Sequence, residues 1–299
     1  MLFCRAPWRG FYEWPWFGAP YYFGNTVTNT LANELIQKFK DIFEKTHNNR
    51  PPDWAWPFKP SIPLVGENYK PGKGLLIYAS AENLSWHNNK KDSPLHQFFT
   101  EENAWNRYRI QYDEYCSKPN KSHPKVYFPN VGIQPVSDGG LLAAGLFTAI
   151  KYGLQQEESP RSFLETIAVT NWNKFSIRSP GKNEDIRGIK KLTASLAFVV
   201  AELMVLQPAV VLIPRTAWRH LKLQAAMQEA SPQSKFLPAP QFNATVVNCH
   251  LRQYDRLASQ LKNELANTPL ASWMENVRRV SRKHAWRYIA MLDGIATQE

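Results

Sequence analysis

Cysteine is scarce in this chain. Cys4, Cys116 and Cys249 are its three cysteines, far apart and with no C-x-x-C pair. That spacing argues against a structural zinc site and against a four-thiolate iron–sulfur cluster. An odd cysteine count, behind a start that reaches Arg5 before any apolar stretch of secretory length, gives the expectation of a reducing cytoplasm. Long hydrophobic runs are missing too. The most apolar segment, Leu192 to Ile213, is interrupted by Glu202, Gln207 and Pro208, so no membrane span is expected. No internal repeat is evident. Nothing calls for a metal or another cofactor.

What the chain does have is positive charge and aromatic rings. A formal charge of +11 makes a polyanion the leading class of partner, although anionic membranes and ribosomal surfaces attract basic proteins as well. Eleven Trp, twelve Tyr and sixteen Phe supply rings that can stack on exposed bases. For any single ring, filling a core is the commoner use.

Along the chain, residues 1–24 are crowded with aromatic, Pro and Gly residues and show no period. Leu31, Leu35, Phe39, Ile42 and Phe43 then recur at helical spacing. Residues 48–74 hold many Pro, Trp and Lys residues and are expected to run extended over the surface. Residues 1–73 therefore read as an arm and a helix packed on a domain of residues 74–299. Within that domain Leu75–Ala79, Thr166–Thr170, Ala209–Ile213 and Ala244–Cys249 read as buried strands. Leu141 to Leu154 reads as a helix ending near Gly153. Leu192, Leu196, Val199, Leu203 and Leu206 form the stripe of another, stopped by Pro208. The tail is helical and basic, with Arg278, Arg279, Arg282, Lys283 and Arg287. Strands alternating with helices predict an α/β fold, a central and mostly parallel four-stranded sheet flanked by helices.

In such a sheet, ligands sit beyond the carboxyl ends of the strands. There the chain places Glu82 and Asn83, then Asn171 and Lys174, then Arg215, then His250 and Arg252. This set suits cleavage of a bond between a sugar and a base. A carboxylate can orient water and offset a cationic sugar, and an imidazole can donate to the oxygen of the departing base. An Asn side chain matches the edge of a pyrimidine, and cations hold phosphates. Each residue also has a plainer use. Glu82 could cap a helix, Asn171 could satisfy a turn, and His250 could be structural.

With these residues in place, the order of segments resembles the uracil-DNA glycosylase superfamily. Leu75 to Asn83 resembles its first motif. Phe163 to Phe175, FLETIAVTNWNKF, resembles the strand carrying the base-reading Asn and puts that role on Asn171. Lys191 to Trp218, with QPAVVLIPRTAW, resembles the helix-then-strand segment. Val246 to His250 resembles the last strand, with His250 as the second-motif histidine. Pro135 to Leu154 looks like the segment leading into a helix, preceded by Tyr127 or Phe128 as the stacking ring. The resemblance spans residues 74–256 and implies a three-layer fold and a DNA glycosylase. It implies Glu82, Asn83 and His250 as catalytic residues, Asn171, Phe128 and Tyr127 as base-binding residues, and Arg215, Arg252, Tyr254 and Lys174 as DNA contacts. The implied partner is double- or single-stranded DNA, handled by a monomer without a metal cluster.

The chain also departs from the pattern. Its first motif reads YASAENLS, and the catalytic position falls on Ala81, Glu82 or Asn83 according to register. Glu82 alone supplies a carboxylate. In the uracil-specific branch a tyrosine two residues after the acid blocks substituents at carbon 5. Here that place holds Asn83 or Leu84. His250 is followed by Leu-Arg-Gln-Tyr rather than Pro-Ser, which leaves Arg252 or Tyr254 as the wedge. Residues 86–125 form an insertion beside the pocket. The missing ring and the insertion point to a pyrimidine enlarged at carbon 5. Glucosylated hydroxymethylcytosine in phage DNA, excised by a defence branch of the superfamily, is one example. Uracil excision in repair is the alternative, a catalytically silent DNA-binding protein on the same fold is another, and an enzyme of free nucleosides a third.

Overall fold

The computed structural model describes residues 30–55, 60, 63–81, 144–154, 163, 165–175, 188–239, 250–268, 270–271, 274 and 279–297. Five strands form one sheet. They are β1 (Leu64–Val65), β2 (Leu75–Ala81), β3 (Ile167–Asn173), β4 (Val210–Pro214) and β5 (Lys235–Ala239), in the order β1-β3-β2-β4-β5. β2, β3, β4 and β5 run parallel, and β1 lies antiparallel on the edge of β3. The described sheet is thus mixed and five-stranded, where four strands were expected. β5 comes from a segment not read as a strand, and the expected strand 244–249 lies outside the described residues.

Apolar runs make the central strands. Leu75, Leu76 and Ile77 are at most 1 % exposed, and β3 and β4 are buried along their whole length. Strands covered on both faces need no alternation of polar and apolar residues. Each fully buried Val, Leu or Ile contributes about 1.5–3 kcal/mol through removal from water.

Two helical layers cover the faces. On one face lie α2 (144–151), the 3-10 turn Leu251–Tyr254, α7 (Asp255–Glu264) and α8 (Arg279–Thr297), packed on Ile77, Val169 and Leu212. On the other lie α1 (Thr30–His47), α3 (Ile189–Ala194), α4 (Leu196–Leu206), the short α5 (Arg215–Trp218) and α6 (Leu221–Ala230), packed on Leu76, Tyr78, Ala168 and Val211. None of the described helices is long and apolar enough to cross a membrane.

Close approaches explain two glycines. A Cβ on Gly145 of α2 would stand 2.5 Å from Ile77 Cδ1, and one on Gly74 would stand 2.3 Å from the Tyr69 ring. α2 ends as expected at Gly153, whose φ of +63° is the left-handed conformation that closes a helix.

Part of the segment expected to run exposed is instead interior. Ala55, Leu64, Val65 and Tyr69 are buried, and α1 lays Leu35, Phe39 and Phe43 onto the α4 side of the sheet. At the end of α1, His47 stacks on Phe198 at 5.8 Å and meets Phe175 edge-on at 5.0 Å. Burial lowers the pKa of its imidazole, against an opposing hydrogen bond with the Ala194 backbone.

Candidate active site

The topology locates a crevice. From β2 the chain crosses to β3 on one side, and from β3 it returns past β2 to β4 on the other. The helices of these two crossovers lie on opposite faces, α2 on one and α3 and α4 on the other, as right-handed connections in opposite directions require. The carboxyl ends of β2 and β4 are therefore a topological switch point, where open α/β sheets bind ligands.

The register sharpens this. β2 stays paired with β3 as far as Ala81–Asn173, and β4 with β5 as far as Pro214–Ala239. β2 and β4 pair only over Leu75–Ile77 and Val210–Leu212. Beyond Ile77 and Leu212 the two central strands part, and the sheet opens toward its carboxyl edge between them.

The expected residues that are described lie on β3, at the end of β4 and on the 3-10 turn. Asn171 is fully buried, and it lies inside β3 rather than after it, with Ala79 of β2 as its neighbour. Side-chain alternation sets Asn171 on the face of Val169, which is the face covered by α2, α7 and α8. His250 precedes the 3-10 turn and is exposed, while the next residue, Leu251, is 2 % exposed and packed into the cluster on that same face. Arg215 is exposed at the end of β4, where α5 begins. Arg252 is exposed as well. Tyr254 is half-buried against the core, with a ring atom 4.0 Å from where a Cβ of Gly294 would be. Glu82, Asn83, Tyr127, Phe128 and the insertion 86–125 lie outside the described residues, and Glu82 directly follows the last residue of β2.

Lys174 is a correction. Expected to touch DNA, it is 1 % exposed, with its ammonium ion-paired to Glu202 of α4, itself fully buried. Thr170 Oγ1 donates to Glu202 Oε1 at 3.0 Å, and Tyr78 Oη donates to Oε2 at 2.8 Å. Lys174 Nζ also donates to Thr170 Oγ1 at 2.6 Å and lies 5.6 Å from the ring centroids of both Phe39 and Tyr78. Burial raises the Glu202 pKa and lowers that of Lys174, and the attraction of each for the other opposes without cancelling. Burial, followed by the Glu202 charge, pushes the Tyr78 phenol well up. The lysine turns inward because a carboxylate buried on α4 needs a counter-charge. The network ties α4 to the carboxyl halves of β2 and β3, beside the opening.

Three residues of this region escaped the sequence reading. Glu202 could have been found, being the one charge in the apolar helix Leu196–Leu206. Asn173 and Ser195 carried no such signal. Ser195 Oγ accepts the Lys174 backbone N–H at 2.9 Å and donates to Asn173 Oδ1 at 3.3 Å. The Asn173 carboxamide is buried at the end of β3, and its Nδ2 has no partner among the described residues.

The chain matches no protein-family model, no curated protein and no solved structure.

Proposed function

We propose that the protein is a monofunctional DNA glycosylase that takes a pyrimidine out of the stack and hydrolyses its bond to the sugar, leaving an abasic site. The observation that carries the reading is the parting of β2 from β4 with a buried carboxamide, Asn171, on the adjoining strand. A flipped base needs a recess and an amide edge to pair with, and the parting of the two central strands and the Asn171 carboxamide on β3 support that reading. Glu82, following β2, is the group to orient water and offset charge on the sugar. His250, at the head of the 3-10 turn, is the group to donate to the base oxygen as it gains negative charge. Arg215 supplies a cation at the end of β4. The basic balance of the chain supports a polyanionic substrate.

A pyrimidine enlarged at carbon 5 is the proposed substrate, because no ring stands two residues beyond Glu82. Duplexes carrying uracil, thymine, 5-hydroxymethylcytosine or its glucosylated form, treated with the protein and then with alkali, test both parts. Strand cleavage is expected at the enlarged base, and Glu82→Gln, Asn171→Ala or His250→Ala should each slow single-turnover excision at least about tenfold. Cleavage at uracil alone would remove the enlarged-base part. DNA binding without an abasic product from any duplex would sink the glycosylase and leave a DNA-binding protein on this fold.

A further inference from the structure

The C-terminal helix begins with a run of cations. Arg279, Arg282 and Lys283 fall within the first five residues of α8, and no acidic residue does. The amino end of a helix carries the positive pole of its dipole, so cations there oppose it. Two turns along, Arg287 reaches α7 and makes a two-pronged pair with Asp255, Nε to Oδ1 at 2.5 Å and Nη2 to Oδ2 at 2.7 Å. This brace fixes the start of α8 against the 3-10 turn and consumes the carboxylate at the start of α7.

Arg252, on the 3-10 turn, and Lys283, on α8, are both exposed, and among the described residues neither forms an ion pair. The brace brings them to one side, since Arg252 lies three residues before Asp255 and Lys283 lies one turn before Arg287 on α8. Both act on the Asp255 carboxyl, lowering its pKa after the larger effect of the Arg287 hydrogen bond. Both also act on the His284 imidazole, lowering its pKa after the larger effect of burial. Asp255, the carboxylate both act on, is already held by Arg287 in a two-pronged pair, which leaves two exposed cations from separate elements able to receive an anion from outside.

We propose that Arg252 and Lys283 form a clamp for the phosphate backbone of DNA, held in register by the Asp255–Arg287 brace. The clamp rests on the glycosylase reading, since His250 lies two residues before Arg252 and the held phosphates would flank the extruded base. Lys283 and Arg252 make charge contacts, sequence-independent and sensitive to salt. Arg287 is a positioning residue. Its guanidinium is used up by Asp255, and it acts by setting where α8 begins.

The test is binding of an unmodified DNA duplex as a function of salt, for the wild type, Lys283→Gln, Arg252→Gln, the double variant and Lys222→Gln on the opposite layer as control. Each clamp substitution should lower the slope of log K against log salt by about 0.9, and the double by about 1.8. With binding at 1 M salt as the common reference, each loses about eightfold in affinity at 0.1 M. Thermal stability should stay close to that of the wild type, because both side chains are exposed and the Asp255–Arg287 brace is left in place. Lys222→Gln should keep the wild-type slope. A wild-type slope in both clamp variants would overturn the clamp and leave the glycosylase intact, as would affinity lost only in step with stability. A wild type that binds neither this duplex nor the modified ones would overturn both.

Discussion

The buried pair of Lys174 and Glu202 supports a prediction whose sign depends on the background in which it is made. Both side chains are fully buried, and the carboxylate accepts from Lys174, Thr170 and Tyr78. Replacing Lys174 by Met leaves a carboxylate with two neutral donors and no counter-charge. Breaking one side of such a pair costs about 3–5 kcal/mol. Glu202→Gln in the wild-type chain does similar damage by stranding the ammonium. Once Lys174 is Met, however, the same Glu202→Gln change relieves a buried charge, while its carbonyl accepts from one of the two hydroxyls and its amide donates to the other. In that background it should be neutral or stabilising, a coupling of at least about 3 kcal/mol. Urea unfolding at pH 7 reads this directly. At a slope of about 2–3 kcal/mol/M, each single variant loses about 1–2.5 M from its midpoint, and the double variant recovers part of it. If the two losses simply add, the residues are not coupled and the account of why Lys174 turns inward is wrong.

Other consequences can be checked in the same way. Gly145→Ala pushes a methyl group to within 2.5 Å of Ile77 Cδ1 and should cost about 1–3 kcal/mol. Combining it with Ile77→Val, which deletes that atom, should recover stability, and a double variant no better than Gly145→Ala would show that the clash lies elsewhere. His47 has a lowered folded pKa, so the unfolded chain takes up a proton first on acidification. Its contribution to stability is complete above pH 6.5, the ordinary value, and is lost as pH falls through the lower folded value. The urea midpoint of the wild type should therefore fall more steeply below pH 6.5 than that of His47→Phe, and parallel curves would refute it. Ser195→Ala strands the buried Lys174 backbone N–H and should cost about 1–3 kcal/mol, measured by the same unfolding curves.

The central strands were legible because each is an uninterrupted apolar run with a turn signal at its end, and burial on both faces is what such a run means. β1 was hidden because two residues, Leu64 and Val65, carry no period and sit among prolines and lysines. β5, Lys-Phe-Leu-Pro-Ala, was hidden by Pro238, which a strand tolerates at an edge, and among the described residues β5 pairs with β4 alone. The stripe from Leu192 to Leu206 was visible, and its division at Ser195 was not, because that break serves a hydrogen bond to β3, far away in sequence. The same limit applied at the site. The strand-end rule directed attention to Asn171 and Arg215, which lie within β3 and at the end of β4, but nothing local told a lysine facing solvent from one answering a buried acid. Lys174 was misread for that reason.

The two-residue strand β1 has a practical consequence. It shields the outer rim of β3, and the stretch that delivers it also carries α1 onto the α4 layer. A fragment begun at Gly74 would strip both away and leave β3 with a row of bare amide and carbonyl groups along a hydrophobic ribbon, a template for self-association. Any shortened version meant to stay dispersed in water has to keep the residues from Thr30 onward.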